Sequence, residues 1–255
     1  MVGPTDRTGR RGSPTGAVIP ISGAERATKP SPEDDMTNVR PLRVRTLGLV
    51  PYAEALEVQR QSVVERRAGR SPDVLLLLEH PHVITLGSSG DPDHVLVDAA
   101  QRASRGIEVH EAGRGGDVTY HGPGQLVGYP ILDLKPDRKD LHRYLRDLEE
   151  VLLRALARLG VSGGARREGL TGVWLPQGKV AAVGVRVSSG WITSHGFALN
   201  CSTDLSYFDA IVPCGIQDEA VTSLSVVLGS ELTPADVSSF VIESFLEVFG
   251  RALVS

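Results

Sequence analysis

Two of the 255 residues are cysteines, and one of them, Cys214, stands between Pro213 and Gly215 in "IVPCGI". A cysteine kept for packing sits best inside an apolar strand or helix. Proline stiffens the backbone ahead of this thiol, and glycine lets it bend sharply behind. The pattern suits a sulfur held out towards a cleft, where it could serve as a nucleophile. Cys201 follows an alternating strand pattern and reads instead as a small core residue.

A second stretch with chemistry in it is "GRGGDVTYHGPGQLVGYPILDL", residues 113–134, with six glycines from Gly113 to Gly128. Arg114 beside Gly115 and Gly116 sets a cation next to open backbone amides, which suits an anion or a polar carbonyl. A glycine-rich hairpin with a solvated arginine explains the composition equally well. No Gly-Lys-Ser/Thr follows, so this is not a P-loop, and no helix pattern begins there as a dinucleotide fingerprint requires. Lys179 opens the strand "KVAAVGVRV", a place where lysine usually guards a sheet edge in solvent. In "SHGFALN", Gly196 and Ala198 keep side chains small, as they would against a bound chain. His195 there reads first as a core histidine satisfied by backbone. Cys201 and Cys214 lie thirteen positions apart with no CxxC or HxxxH pair, so with His121 and His195 they complete no zinc pattern, and no metal is expected. A serine triad has no GxSxG elbow to rest on.

The elements that must position these residues follow from periodicity. "LRVRTLG" alternates and predicts a first strand; Pro51 then opens a helix that Gly69 can stop. Pro81 splits "DVLLLLEH" from "HVITLG", two short strands, and a short helix over 98–104 precedes strands at "IEVHEAG", "DVTYHG" and "QLVGYPILDL". Between 140 and 159, Leu141, Tyr144, Leu145, Leu148, Leu152, Ala155, Leu156 and Leu159 share one helix face and charges fill the other, with Gly160 as the stop. "TGVWL", "KVAAVGVRV" and "WITSHGFALN" are three strands in succession. A last helix starts at Thr233, Pro234 and Asp236 and buries Val237, Val241, Phe245, Val248 and Phe249. Strands grouped together with few helices between them favour a mostly antiparallel or mixed α/β sheet.

Composition narrows the function classes. A net charge of −4 argues against a broad nucleic-acid surface, and no apolar run is long enough to span a bilayer. Two cysteines and no secretory signal point to a reducing cytoplasm. Residues 1–38 are rich in Gly, Pro, Ser and Thr and predict a disordered extension; Arg10 and Arg11 lack the apolar core of an export signal. A start at Met36 would leave the remaining domain, residues 39–255, and function is expected to survive deletion of residues 1–35.

Together, "GRGGDVTYHGPGQLVGYPILDL", "GVWL", "KVAAVGV", "HGFALN" and "DLSYFDAIVPCGI" resemble the octanoyl-[acyl-carrier-protein]:protein octanoyltransferases, the lipoate-protein ligase B family. The resemblance implies a fold like that of the lipoate and biotin protein ligases, an α/β (α+β) domain with a mixed, largely antiparallel sheet flanked by helices. It implies that octanoyl moves from acyl carrier protein to a lysine of lipoyl domains, those of 2-oxoacid dehydrogenase complexes and of the glycine cleavage H protein, with no cofactor. Cys214 matches the family's acyl acceptor and Lys179 its paired lysine. Arg114, Gly115, Gly116, Asp117, Val118, Thr119, Tyr120 and His121 match acyl-binding positions, as do Ala182, Val183, Gly184, Gly196, Phe197 and Ala198. Three departures leave the catalytic groups intact: one extra residue near "SSGW", Cys201 where an apolar residue is usual, and Phe197 where leucine is frequent.

A lysine ammonium beside the thiol would favour the thiolate. Gly184, Gly196 and Ala198 are expected to leave room for the acyl tail. Arg143, Arg146, Arg166 and Arg167 are candidate contacts for acidic protein partners. The rival readings are an ATP-dependent lipoate or biotin-type ligase, a cysteine acyl-thioesterase and a non-catalytic carrier-binding module.

Overall fold

The computed structural model describes Gly3, residues 39–212 and residues 220–254. The extension read over 1–38 and the "PCG" turn with Cys214 lie outside the described residues. Eight strands form the main sheet: β1 (Arg40–Leu49), β2 (Asp73–Glu79), β6 (Gln125–Ile131), β7 (Ala165–Arg167), β8 (Leu170–Leu175), β9 (Gly178–Val187), β10 (Thr193–Asn200) and β11 (Arg251–Leu253). Their order across the sheet is β11-β1-β2-β6-β10-β9-β8-β7. β11, β1 and β2 run parallel, and every pair from β2 to β7 is antiparallel, so the sheet is mixed and largely antiparallel. A smaller sheet, β4-β3-β5, joins β3 (Val83–Leu86), β4 (Glu108–Glu111) and β5 (Val118–His121).

The continuous apolar run of β2 is explained by burial on both faces. Leu75 and Leu77 pack in the core formed with α3 (Leu141–Arg158) and α5 (Pro234–Phe249). Val74, Leu76 and Leu78 face the other way, towards Val127, Tyr129 and Ile131 of β6 and Ala55 of α1 (Tyr52–Arg67). Asp140 caps α3 and the Thr233–Asp236 capping box starts α5, as their residue types imply. Two short helices complete the set, α2 (Ala99–Ser104) and α4 (Leu224–Leu228).

Several elements differ from the periodicity reading. β7, β11 and α4 are too short to show a period. Leu141 is exposed, Val248 is half-buried, and Glu149, on the face read as solvated, is fully buried. Its carboxylate accepts from the Gly172 N–H of β8 at 2.9 Å and from Arg146 Nη1 at 2.7 Å, with Arg166 Nε 3.2 Å away. Arg166 also donates to Glu150 at 2.7 Å, and the Arg167 guanidinium lies over the Trp174 ring. Arg166 of β7 thus ties α3 to the β7–β8 edge of the sheet, while Arg146 pairs with Glu149 within α3 itself. Glu149→Ala would orphan the Gly172 N–H. Because both arginines reach water, the expected loss is only about 1–3 kcal/mol, read from the urea midpoint.

Candidate active-site cleft

A cleft opens on the α1 side of the main sheet. Its floor comes from β9 and β10, with Lys179, Ala182, Gly184, Gly196 and Ala198, and its other walls from Arg114, Asp117, Thr119, His121, Tyr52, Tyr129 and Thr171. Gly115, Gly116, Val118, Val183 and Phe197 also border it. Tyr120 does not. Strand alternation sends Tyr120 into the small core with Ile84 and Phe208, its hydroxyl 2.8 Å from His82 Nδ1, while Thr119 and His121 face the cleft.

The glycine-rich loop is held on two sides. Gly87 N–H donates to Asp117 O, Ser89 N–H to Gly116 O, and Gly115 N–H to Val185 O of β9. Gly87 must lack a side chain, since a Cβ there would lie 2.1 Å from Gly116 O. Arg114 is 8% exposed; its Nη2 donates to Thr85 O at 2.7 Å and to Thr85 Oγ1 at 2.8 Å. The hairpin reading with a solvated arginine thus gives way to a buried cation beside the cleft. At Gly196 a Cβ would meet Gly128 O at 2.2 Å and Pro130 Cδ at 2.5 Å. The close approach of β6 by itself requires a glycine at this place, which also borders the cleft.

Lys179 is half-buried in a strand paired on both sides, so it guards no sheet edge. Its Nζ lies 4.9 Å from the centre of the Trp174 ring. Gly172 makes room for it, because a Cβ there would lie 2.8 Å from Lys179 Cε. The Lys179 N–H donates to Ala220 O and the Lys179 carbonyl accepts from Thr222 N–H.

Sequence reasoning missed a buried polar chain that ends at this point. His121 Nδ1 donates to Gln125 Oε1 at 2.7 Å, Gln125 Nε2 to Asn200 Oδ1 at 2.9 Å, and Asn200 Nδ2 to Thr222 O at 3.0 Å. Burial, reinforced by His80, pushes His121 down to about 3, so its imidazole is neutral at pH 7. The stretches "HGPGQ" and "FALN" carried these polar residues, but only tertiary contact joins them.

His195 and the two tyrosines were missed as cleft residues as well. His195 has φ +55°, the left-handed region that non-glycine residues rarely occupy, and its ring meets Tyr129 edge-on at 6.1 Å. Gln59 Oε1 accepts the His195 N–H at 2.8 Å, leaving Gln59 Nε2 without a partner among the described residues. Burial, with Arg114 and Arg186 nearby, lowers His195 to about 4. Burial raises the Tyr52 phenol to about 12, so a neutral hydroxyl lines the cleft. Cys201 is fully buried in the α3/α5 core, and burial pushes its thiol up to about 12, an unreactive state.

A family model described as the lipoyl protein ligase A/B catalytic domain matches residues 51–246. The chain belongs to this family. Among its family relatives, the octanoyltransferase of Rubrobacter xylanophilus is 54% identical over 211 residues, covering 82% of this chain and 94% of that protein. The octanoyltransferase of Chloroflexus aurantiacus is 50% identical over 213 residues, 83% and 95% of the two chains. In solved structures the fold recurs in a lipoate protein ligase of Thermoplasma acidophilum with bound lipoic acid, with a TM-score of 0.62 at 16% identity over 85% and 88% of the chains. It recurs also in lipoate-protein ligase A bound with ATP, with a TM-score of 0.63 at 15% identity over 86% and 90%. These ligase-family folds match the sheet and helix layers found here.

Proposed function

We propose that the protein transfers octanoyl from acyl carrier protein to a lysine of a lipoyl domain, through a thioester on Cys214 assisted by Lys179. The observation that carries the reading is the anchoring of the chain on either side of residues 213–219. Val212 N–H donates to His94 O at 2.9 Å, and His94 Nδ1 donates in turn to Asp117 Oδ2 at 2.6 Å, beside the cleft. On the other side Ala220 accepts from the Lys179 N–H. Phe208 and Val221, which flank the segment in sequence, border a hollow together with Thr119, Lys179, Ala182 and Ala198. Only Pro213 stands between Val212 and Cys214, so two Cα–Cα steps of chain span at most about 7.6 Å.

The chemistry balances without ATP. The Cys214 thiolate attacks the donor thioester carbonyl; a C–S bond forms, the carrier's C–S bond breaks, and the released sulfur takes a proton. The acceptor amine then attacks the acyl-enzyme, a C–N bond forms, the Cys214 C–S bond breaks to return the thiolate, and the proton shed by the amine passes to Lys179, replacing the one that the carrier sulfur took. An ordinary thiol, with pKa ~8.5, is only a few per cent ionised at neutral pH, so a nearby ammonium matters. Burying the six methylenes of an octanoyl tail contributes about 5 kcal/mol.

Mixing the protein with octanoyl-carrier alone is expected to give an octanoyl adduct that mass spectrometry places on Cys214 and that a lipoyl domain then discharges. An adduct discharged by water at the same rate indicates a thioesterase. Product formed only from free octanoate with ATP indicates a ligase, and either result rejects the reading.

A further inference from the structure

We propose that the His195 imidazole is the end wall of the acyl site and sets the longest chain that the cleft accepts. This rests on the acyl-transfer reading above. A second hollow, open to solvent, lies against α1, with Leu56, Val63 and Ile192 as apolar lining and Arg60, Arg67 and Arg186 beside them. Among the described residues, His195 is the one that borders both this hollow and the cleft.

Strand register places the ring at the boundary. Along β9 the cleft runs from Lys179 past Ala182 to Gly184, and the hollow begins at Arg186. His195 pairs with Val185, the residue between them. The same division recurs in other elements: Tyr52 lines the cleft and Leu56, one turn later on α1, lines the hollow, while Arg114 and Gly113 divide in the same way. Regular alternation would turn His195 to the α3/α5 face with Phe197. The positive φ instead turns its ring onto Tyr129, and the Gln59 bond to its N–H holds that conformation. Without the ring, the cleft opens into the hollow, and Leu56, Val63 and Ile192 come within reach of a longer chain.

The test is His195→Gly, because glycine adopts this φ without strain. Calorimetry measures binding of free fatty acids from six to fourteen carbons. The natural protein is expected to gain affinity up to a chain length near eight and then level off or lose it. The variant should go on gaining, about fourfold for each added methylene. Val63→Phe in the variant background should refill the hollow and restore the limit. His195→Asn, also tolerated at positive φ, serves as a second opening variant. Identical length profiles for the natural protein and both opening variants would overturn the proposal. A natural protein that shows the limit yet moves no octanoyl from a carrier would reject the reaction and leave the wall standing.

Discussion

Lys179→Ala is expected to lower kcat/KM for octanoyl transfer to a lipoyl domain by about 10²–10⁴-fold, the usual contribution of a placed proton-transfer group. Thermal unfolding should change little, because Lys179 is only half-buried and its backbone bonds to Ala220 and Thr222 persist. The residual rate should rise with pH towards ~8.5, since hydroxide then supplies the thiolate that the ammonium no longer favours. Lys179→Arg separates two roles. Arginine keeps the positive charge but holds its proton, so acylation by octanoyl-carrier should survive better than discharge to the acceptor amine. Single-turnover measurement of each half-reaction checks this. An alanine variant with natural rates in both halves would remove Lys179 from the mechanism.

Asp73→Ala should be the most destabilising of these substitutions. Asp73 is 1% exposed and accepts from Arg66 Nε at 2.6 Å and Arg251 Nε at 3.0 Å, with Arg40 Nη2 3.3 Å away. Its Oδ1 also accepts the Asp133 N–H at 3.1 Å. This one carboxylate joins β1, β2, β11, α1 and the end of β6. The Arg251 side chain is itself 1% exposed, so alanine leaves a buried guanidinium with, among the described residues, only Asp137 and the Phe249 carbonyl as partners. Losing one side of such a pair costs about 3–5 kcal/mol, which in a chain of this size lowers Tm by roughly 10–15 °C. Asp73→Asn keeps the shape and should fall between. Scanning calorimetry reads both, and an alanine variant melting within a degree of the natural protein would contradict the account.

The sheet strands and the three long helices were legible because their signals are local. The apolar stripe of α3, the Thr233, Pro234 and Asp236 start of α5 and the apolar run of β2 each lie within one segment. Strands of three residues, such as β7 and β11, carry no period, and the Glu149 carboxylate looked solvated because nothing in α3 announces the β7–β8 strands beside it. Much the same division holds within the cleft. Arg114, Lys179 and the glycine-rich stretch stood out by residue type and neighbours, and the family resemblance grouped them. Tyr52, His121–Gln125–Asn200 and the turned ring of His195 needed contacts between distant segments.

Residue order by itself determined the family and the periodic elements and offered a short list of candidate groups for acyl chemistry, since each depends on neighbours within a few positions. Only the tertiary structure decided which of those groups share a cleft, that Tyr120 turns away from it, that Gly196 is small for the sake of β6, and that Asp73 meets Arg251 across 178 positions. Burial and charge pairing are properties of distances in space, and those distances exist only once the sheet has closed.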